Sequence, residues 1–436
     1  MINHVPFTDL LSRIVDNRGK TCPTNATGIP LIATNCVKNE TLFPVLEKIR
    51  YVSEETYNSW FRGHPQPNDL IFVTKGSPGQ VCLAPDPVGF CIAQDMVAIT
   101  PNPERVYPPY LFAALRSPQV QHDITNMHVG TLIPHFKKGD FDKLKIPVPS
   151  KERQIFIGDT FLRLSEKIES NTRMNETLEA MAQAIFRDWF VDFGPTRRKQ
   201  DGAIDPVKII GGVTQNAENA ARLAALFPDA FGNNGLPQGW KTSGLDDVAD
   251  FLNGLALQKF PAKDGEPYLP VIKIAELRNG ITPKSNRASL DVPEKCVVSD
   301  GDFLFSWSGS LLAKFWTEGK GALNQHLFKV TSEKFPPWLY ASWVWHHLAE
   351  FQRIAASKAT TMGHIQRQHL AEALCNLPPE DAITKLGVVV EPLVDLTVHN
   401  NLENRTLAKT RDLLLPRLIS EEITLKEAET SAEAAE

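Results

Sequence analysis

No run of about 20 apolar residues occurs in this 436-residue chain, and positions 1–6 lack a basic region followed by an apolar one. Neither a membrane-spanning helix nor a secretory signal is expected, which places the protein in the cytoplasm. Cysteine is scarce: Cys22, Cys36, Cys82, Cys91, Cys296 and Cys375 form no C-x-x-C pair. That argues against zinc sites and a disulfide framework and for free thiols. No G-x-x-x-x-G-K-S/T run exists to cradle ATP phosphates, and no glycine-rich turn suggests a methyl-donor pocket. No triad or metal cluster stands out; His346 and His347 are adjacent, so on a helix they point to different sides and make a poor ligand pair. Positive charge is not in excess either. The formal charge is −5, and six Glu with one Lys in 421–436 account for all of it. The tail is expected to be disordered and the body to be neutral. Basic candidates within that body are Lys137-Lys138, Arg197-Arg198-Lys199 and the stretch 273–287.

What is present is a repeat. Asn171, Asn175, Thr177 and Leu178 recur 229 positions later as Asn400, Asn404, Thr406 and Leu407, and His135 and Pro149 fall on His364 and Pro378 at the same spacing. Upstream the spacing drifts while the pattern persists. Ile29-Pro30-Leu31-Ile32 resembles Leu269-Pro270-Val271-Ile272, and Asn68-Asp69-Leu70-Ile71-Phe72 resembles Gly301-Asp302-Phe303-Leu304-Phe305. Gln94 finds Gln325, and Tyr107-Pro108-Pro109-Tyr110 finds Phe335-Pro336-Pro337-Trp338. The length exceeds one ordinary core, and self-similarity over so long a period marks duplicated domains. Each copy is a variable globular part followed by a segment of fixed length.

Over 151–190 the seam residues step by alternating fours and threes: Ile157, Phe161, Leu164, Ile168, Asn171, Asn175, Leu178, Ala182, Ile185 and Trp189. This is the spacing of a coiled-coil seam rather than the broader stripe of a helix on a globular core. Gly194-Pro195 ends it. The second seam runs Leu386, Val390, Leu393, Thr397, Asn400, Asn404, Leu407, Arg411, Leu414 and Leu418, with Pro392 expected to kink the helix or mark its true start. A single helix cannot bury its seam, and packing within the chain makes the pair antiparallel. Asparagine in such a seam is costly unless it meets a partner. The expected register therefore sets Asn171 against Asn404 and Asn175 against Asn400, which puts Ile157 opposite Leu418 and Phe161 opposite Leu414. The alternative is that these asparagines face solvent or a partner protein.

The globular parts mix short β-rich runs with turn signals and a few helices, an α+β pattern. Leu70-Ile71-Phe72-Val73 and Phe303-Leu304-Phe305 read as strands followed by loops of small polar residues, and 110–115 and 338–348 read as helices opening after Pro-Pro. The expected organisation is 1–150 and 236–379 as two similar domains, 151–193 and 380–420 as long antiparallel spacer helices, 194–235 as a linker with a short helix at 217–226, and 421–436 as the acidic tail. The whole carries internal pseudo-two-fold symmetry. Two divergent domains on a ruler suit the reading of a two-part DNA sequence, because a fixed spacer becomes a fixed gap between half-sites.

Pro147-Val148-Pro149 through Gln154, Lys167-Ile168-Glu169, Leu178-Glu179, Trp189-Phe190-Val191-Asp192-Phe193, and Asn404-x-Thr406-Leu407 with Arg411-Asp412-Leu413-Leu414-Leu415-Pro416 resemble the specificity subunit of type I restriction-modification enzymes. Pro416 to Ser420 also resembles the family's ending, although Glu421 stands where a glycine is often found. The resemblance implies a non-catalytic subunit whose two target-recognition domains read double-stranded DNA. Its partners would be two modification (adenine methyltransferase) subunits and ATP-dependent restriction subunits, which would bind S-adenosylmethionine, ATP and Mg.

Base reading needs donors and acceptors on loops held by a stiff sheet. In the first domain the candidates are Lys75, Ser77, Gln80, Gln94, His135 and Lys137. In the second they are Ser308, Ser310, Lys314, Gln325, His364 and Arg367. Lys137 and Arg367 are assigned to phosphate. A structural role stands beside the functional one for Gln94 and Gln325 and for His135 and His364. Trp189, Phe190 and Phe193 are expected either to pack on the second domain's base or to meet a partner. Two other readings remain. A self-sufficient DNA methyltransferase would need an Asn/Asp-Pro-Pro-aromatic motif, and both Pro-Pro motifs here carry an aromatic where the polar residue belongs. A two-headed scaffold would bind no DNA.

Overall fold

The computed structural model describes residues 2–17, 21–127, 134–357 and 363–434, except for the side chain of Glu429. The chain divides into two compact units, Met1–Asn171 with Glu403–Glu436, and Thr172–Leu402. Two long helices, Lys151–Phe186 and Glu380–Ile419, contribute to both. Among the described residues no helix is long and apolar enough to cross a membrane.

In the first unit, strand Asn3–Pro6 pairs antiparallel with Lys145–Val148, which delivers the chain to the first long helix. A four-stranded antiparallel sheet runs in the order Leu11–Asp16, Met96–Pro101, Leu70–Val73, Val81–Leu83. A smaller sheet holds Arg50–Val52, Ile29–Ile32 and Cys91–Ile92, the last two parallel. Strand Leu70–Val73 is buried throughout, which is why it reads as an unbroken apolar run. Leu70 and Phe72 join the core around helix Pro108–Arg116, while Ile71 and Val73 face the core shared with Ile32 and Ile92. Alternation along the strand thus feeds two cores.

The second unit repeats the plan. Lys241–Gly244 pairs with Leu374–Leu377, and the larger sheet is Asp250–Asn253, Leu327–Thr331, Phe303–Ser306, Ala313–Phe315. Tyr268–Ile272 and Gly321–Leu323 form the parallel pair, with Ile272 opposite Leu323 as Ile32 is opposite Ile92. The copies differ in their helices: Pro337–Ser357 is one helix, whereas the first unit has Pro108–Arg116 and Pro118–Met127. Pro118 makes the break, because proline lacks the N–H and clashes with the preceding turn, and aligning the two Pro-Pro helix starts, 228 residues apart, puts His346 in its place.

Within each unit the long helices run antiparallel. In the first, Arg153 donates to Leu418 O at 3.2 Å, Arg411 to Ser165 Oγ at 3.4 Å, and Asn171 Nδ2 to Asn404 Oδ1 at 2.9 Å. In the second, Asn400 Nδ2 donates to Asn175 Oδ1 at 2.8 Å, and Asn175 Nδ2 to Asn401 Oδ1 at 2.9 Å. Asn171, Asn175 and Asn400 are buried, so these amides exchange with one another the hydrogen bonds that water would otherwise supply. Ile157, Phe161, Leu414 and Leu418 line one shared cavity of the first unit.

Matched glycines let each long helix approach its domain. A Cβ on Gly158 would lie 2.6 Å from Tyr110 N, and one on Gly387 would lie 2.8 Å from Trp338 Nε1. Glycine costs a helix interior about 1 kcal/mol relative to alanine, and close packing of the Pro-Pro-aromatic helix starts explains its presence at both places.

Three expectations are corrected. Residues 194–235 are not a linker: helices Gly194–Gln200, Pro206–Ile209 and Ala217–Ala224 occupy them. Ile209, Ile210, Leu223 and Phe227 join Trp189 and Phe190 in one core, and Trp189 Nε1 donates to Ile210 O at 3.3 Å. The acidic tail is not disordered over its described length. Thr424 and Glu427 form a capping box that starts helix Leu425–Glu433, whose Ala428 and Ala432 are buried in the first unit's core. Pro392 does not start the second long helix, which begins at Glu380. Pro392 is exposed and the residue four before it, Val388, is 71% exposed, so that turn can leave its carbonyl to water.

Candidate nucleic-acid interface

In each unit three segments from distant parts of the sequence are tied together by backbone. In the first, the loop after Leu70–Val73 forms a bridge between Lys75 and His135: Gly76 N donates to Pro134 O and Phe136 N to Thr74 O, both at 2.9 Å. Thr74 N and Lys75 N donate to Asp95 O at 3.0 and 3.2 Å, which brings in Gln94 and Asp95. In the second, the loop after Phe303–Ser306 bridges Ser308 to His364: Gly309 N donates to Gly363 O at 2.7 Å and Ile365 N to Trp307 O at 2.9 Å. Trp307 N donates to His326 O at 3.3 Å, bringing in Gln325 and His326. Gly76 and Gly309 both have positive φ, 87° and 65°, and this turns each loop onto its bridge without Cβ strain.

The side chains on this common frame differ. In the first unit Lys75 Nζ lies 3.9 Å from Asp95, Ser77 is exposed at the hairpin tip, and Gln94 lines a cavity of about 90 Å³ with Arg50 and Trp60. Lys137 is exposed, while its neighbour Lys138 reaches Asp16 at 3.5 Å. In the second unit Ser308 Oγ meets His326 Nδ1 at 2.9 Å, and Gln325 Nε2 lies 3.4 Å from His326 Nε2. Trp307 packs between His326 and His364, at centroid distances of 5.8 and 6.3 Å. The Arg278 guanidinium donates to Ser310 Oγ.

Three candidates stand apart from this frame. Gln80 Oε1 accepts from Asn39 N at 2.7 Å and Asn39 Oδ1 from Val81 N at 2.8 Å, so Gln80 holds a loop. Lys314 is half-buried; burial lowers its pKa against the pull of Glu318 and of Glu179 on the first long helix. Arg367 is exposed but donates to Phe251 O at 3.1 Å and lies 5.9 Å over the Phe328 ring. His326, Asp95 and Arg278 also lie on or against this frame and are not among the sequence candidates. The signal for the first two was their position directly after the matched pair Gln325 and Gln94; Arg278 had only its place in the basic stretch 273–287. The run Arg197-Arg198-Lys199 carries little free charge, because Arg198 pairs with Asp188 at 2.6 Å and Lys199 with Asp229 at 2.8 Å.

Comparison with known proteins gives a consistent result. The chain is 26% identical over 380 residues to the type I restriction enzyme HindI specificity subunit of Haemophilus influenzae, covering 77% of this chain and 81% of that one. It is 21% identical over 369 residues to the type I restriction enzyme MjaIX specificity subunit of Methanocaldococcus jannaschii, covering 83% and 79%. The crystal structure of a type I restriction-modification system S subunit from M. genitalium aligns over 96% of each chain with a TM-score of 0.54 and 14% identity, a likeness of fold. The family model described as type I restriction modification DNA specificity domain matches twice, at residues 15–180 and 237–404. With both copies of the repeat so matched, over more than half its length, the chain belongs to the type I restriction modification DNA specificity family.

Proposed function

We propose that this chain is the DNA-recognition subunit of a type I restriction-modification complex, itself non-catalytic, with each loop cluster reading one half of a bipartite asymmetric site. The observation that carries the reading is the pair of equivalent backbone bridges that keep a glutamine and a histidine in common but carry Lys75 and Asp95 in one unit where Ser308 and His326 stand in the other. Lys75, Gln94, Asp95 and His135 offer one set of donors and acceptors, and Ser308, Gln325, His326 and His364 another. A shared frame with unlike contact groups suits two unlike half-sites. Exposed Lys137 contributes phosphate contact. The long helices dock two modification subunits that methylate adenine, and restriction subunits join for cleavage. S-adenosylmethionine, ATP and Mg belong to those partners, and the complex works in the cytoplasm.

The test is to co-express the chain with a type I modification subunit and map N6-methyladenine by long-read sequencing. A bipartite motif with a constant gap is expected, with Gln94→Ala altering one half and Gln325→Ala the other. Methylation whose motif neither substitution changes would move base reading off these loops. Failure to form any complex would favour a scaffold without DNA.

A further inference from the structure

The first unit buries two guanidinium groups that DNA reading does not use. Arg116, at the end of helix Pro108–Arg116, is 9% exposed, and Arg411, on the second long helix, is 6% exposed. The Phe161 ring lies beneath both, 6.0 Å from Arg116 Cζ and 5.3 Å from Arg411 Cζ. Arg116 donates through Nε and Nη2 to Val81 O at 3.1 and 2.7 Å, and through Nη2 to Thr41 O as well. Its Nη1 is buried and meets no acceptor among the described residues. Arg411 Nε pairs with Asp412 at 2.8 Å, a carboxylate that is itself 63% exposed. Burial and the neighbouring Arg411 charge push the Arg116 pKa down to about 9. Both arginines line a cavity of about 230 Å³ with Asn39, Glu40, Phe161 and Asp412. Water occupies about 30 Å³ in the liquid, so the cavity has room for a ligand of several heavy atoms.

The second unit shows that the fold does not need these cations. Trp345, on the corresponding helix Pro337–Ser357, takes over the hydrogen bond of Arg116, and at the 229-residue offset Arg411 becomes Ala182. Trp345 Nε1 donates to Ala313 O at 2.9 Å, as Arg116 Nε donates to Val81 O, and each carbonyl opens the corresponding strand. A neutral indole therefore satisfies the same carbonyl without burying a charge. Removing two like charges from water is costly, and Asp412, which lies largely in solvent, offsets only part of that cost.

We infer that this cavity of the first unit is a binding site for a phosphate-class oxyanion, either the free ion or a small phosphate monoester, held by the Arg411 guanidinium with the buried Arg116 charge beside it. A guanidinium group matches phosphate geometry, and a second positive charge beside it, carried by another element, strengthens the attraction for an oxyanion. Glu40 and Asp412 compete for the same cations and set a moderate affinity.

The test titrates inorganic phosphate into the full chain at constant ionic strength, reading thermal unfolding and phosphorus NMR line width. Binding that raises the unfolding temperature is expected. Arg411→Met, which keeps the seam apolar, should weaken it roughly tenfold or more, the scale of one hydrogen bond to a charged group. Asp412→Asn, at an exposed position, should tighten it severalfold, which keeps the inference testable should Arg411→Met fold poorly. A nucleoside monophosphate that competes marks the monoester as ligand; failure to compete marks the free ion. Stabilisation equalled by chloride, no line broadening at millimolar phosphate, or an affinity unchanged in both variants would overturn the site.

Discussion

Alanine at Gly158 and at Gly387 should act differently although the two positions are equivalent. In an exposed helix either change would stabilise by about 1 kcal/mol. Here the Cβ at 158 would sit 2.6 Å from Tyr110 N and 2.9 Å from Pro109 C, both backbone atoms, whereas the Cβ at 387 would meet the Trp338 ring at 2.8 and 3.3 Å. Overpacking costs about 1–3 kcal/mol, and a backbone obstacle belongs at the top of that range because no rotamer relieves it. A net loss of about 1–2 kcal/mol is expected for Gly158→Ala after the helix-propensity gain, a factor of roughly 5–30 in local opening. Hydrogen exchange resolved by segment is the assay, since the effect is local to one helix contact within one unit. Gly158→Ala should deprotect helix Pro108–Arg116. Gly387→Ala should deprotect the start of helix Pro337–Ser357, and Trp338→Phe should restore it by removing the atoms that obstruct. No side-chain change at Tyr110 should rescue Gly158→Ala. Protection in Gly158→Ala equal to that of the native chain, or no rescue by Trp338→Phe, would refute the close-approach argument.

Asn171→Leu leaves the amide of Asn404 without its 2.9 Å partner and should cost about 1–3 kcal/mol, while Asn171→Leu with Asn404→Leu should cost less than the two singles combined; additivity in a denaturant double-mutant cycle would break the pairing. Burial and the neighbouring His346 push His347 down to about 4 from the ordinary 6.5, with Nε2–H donating to Leu374 O at 3.1 Å. The unfolded chain therefore binds the proton more tightly. Stability is full above about pH 6.5 and falls as pH drops towards 4, by about 1–3 kcal/mol after allowance for partial exposure; His347→Gln should flatten that stretch of the stability profile. Lys137→Ala should weaken all DNA alike and reduce the salt slope by about 1, whereas Lys314→Met should leave both unchanged.

The duplication, the buried strands and the helix starts were legible because they follow from periodicity and from proline, which act over a few residues. Segment 194–235 was not. Its glycines and prolines suggest a loop, yet Ile209, Ile210 and Phe227 find a partner core whose position only the folded chain reveals. The tail misled through composition, since its glutamates outweighed the capping signal of Thr424 and Glu427. At the loops, sequence singled out Lys75, Gln94 and His135 on three separate segments but gave no sign that backbone bonds join those segments. Nor could it tell that Gln80 turns to Asn39 while Ser77, three residues earlier, stays exposed, because a tight hairpin assigns inside and outside residue by residue.

The loop bridges are closed by main-chain groups of Thr74, Gly76, Pro134 and Phe136, and of Trp307, Gly309, Gly363 and Ile365. Side chains at 75, 94, 95, 308, 325 and 326 take no part in those closing bonds. Such positions can drift in sequence at little thermodynamic risk, so selection can explore new contact chemistry at one end of the repeat while the other stays fixed.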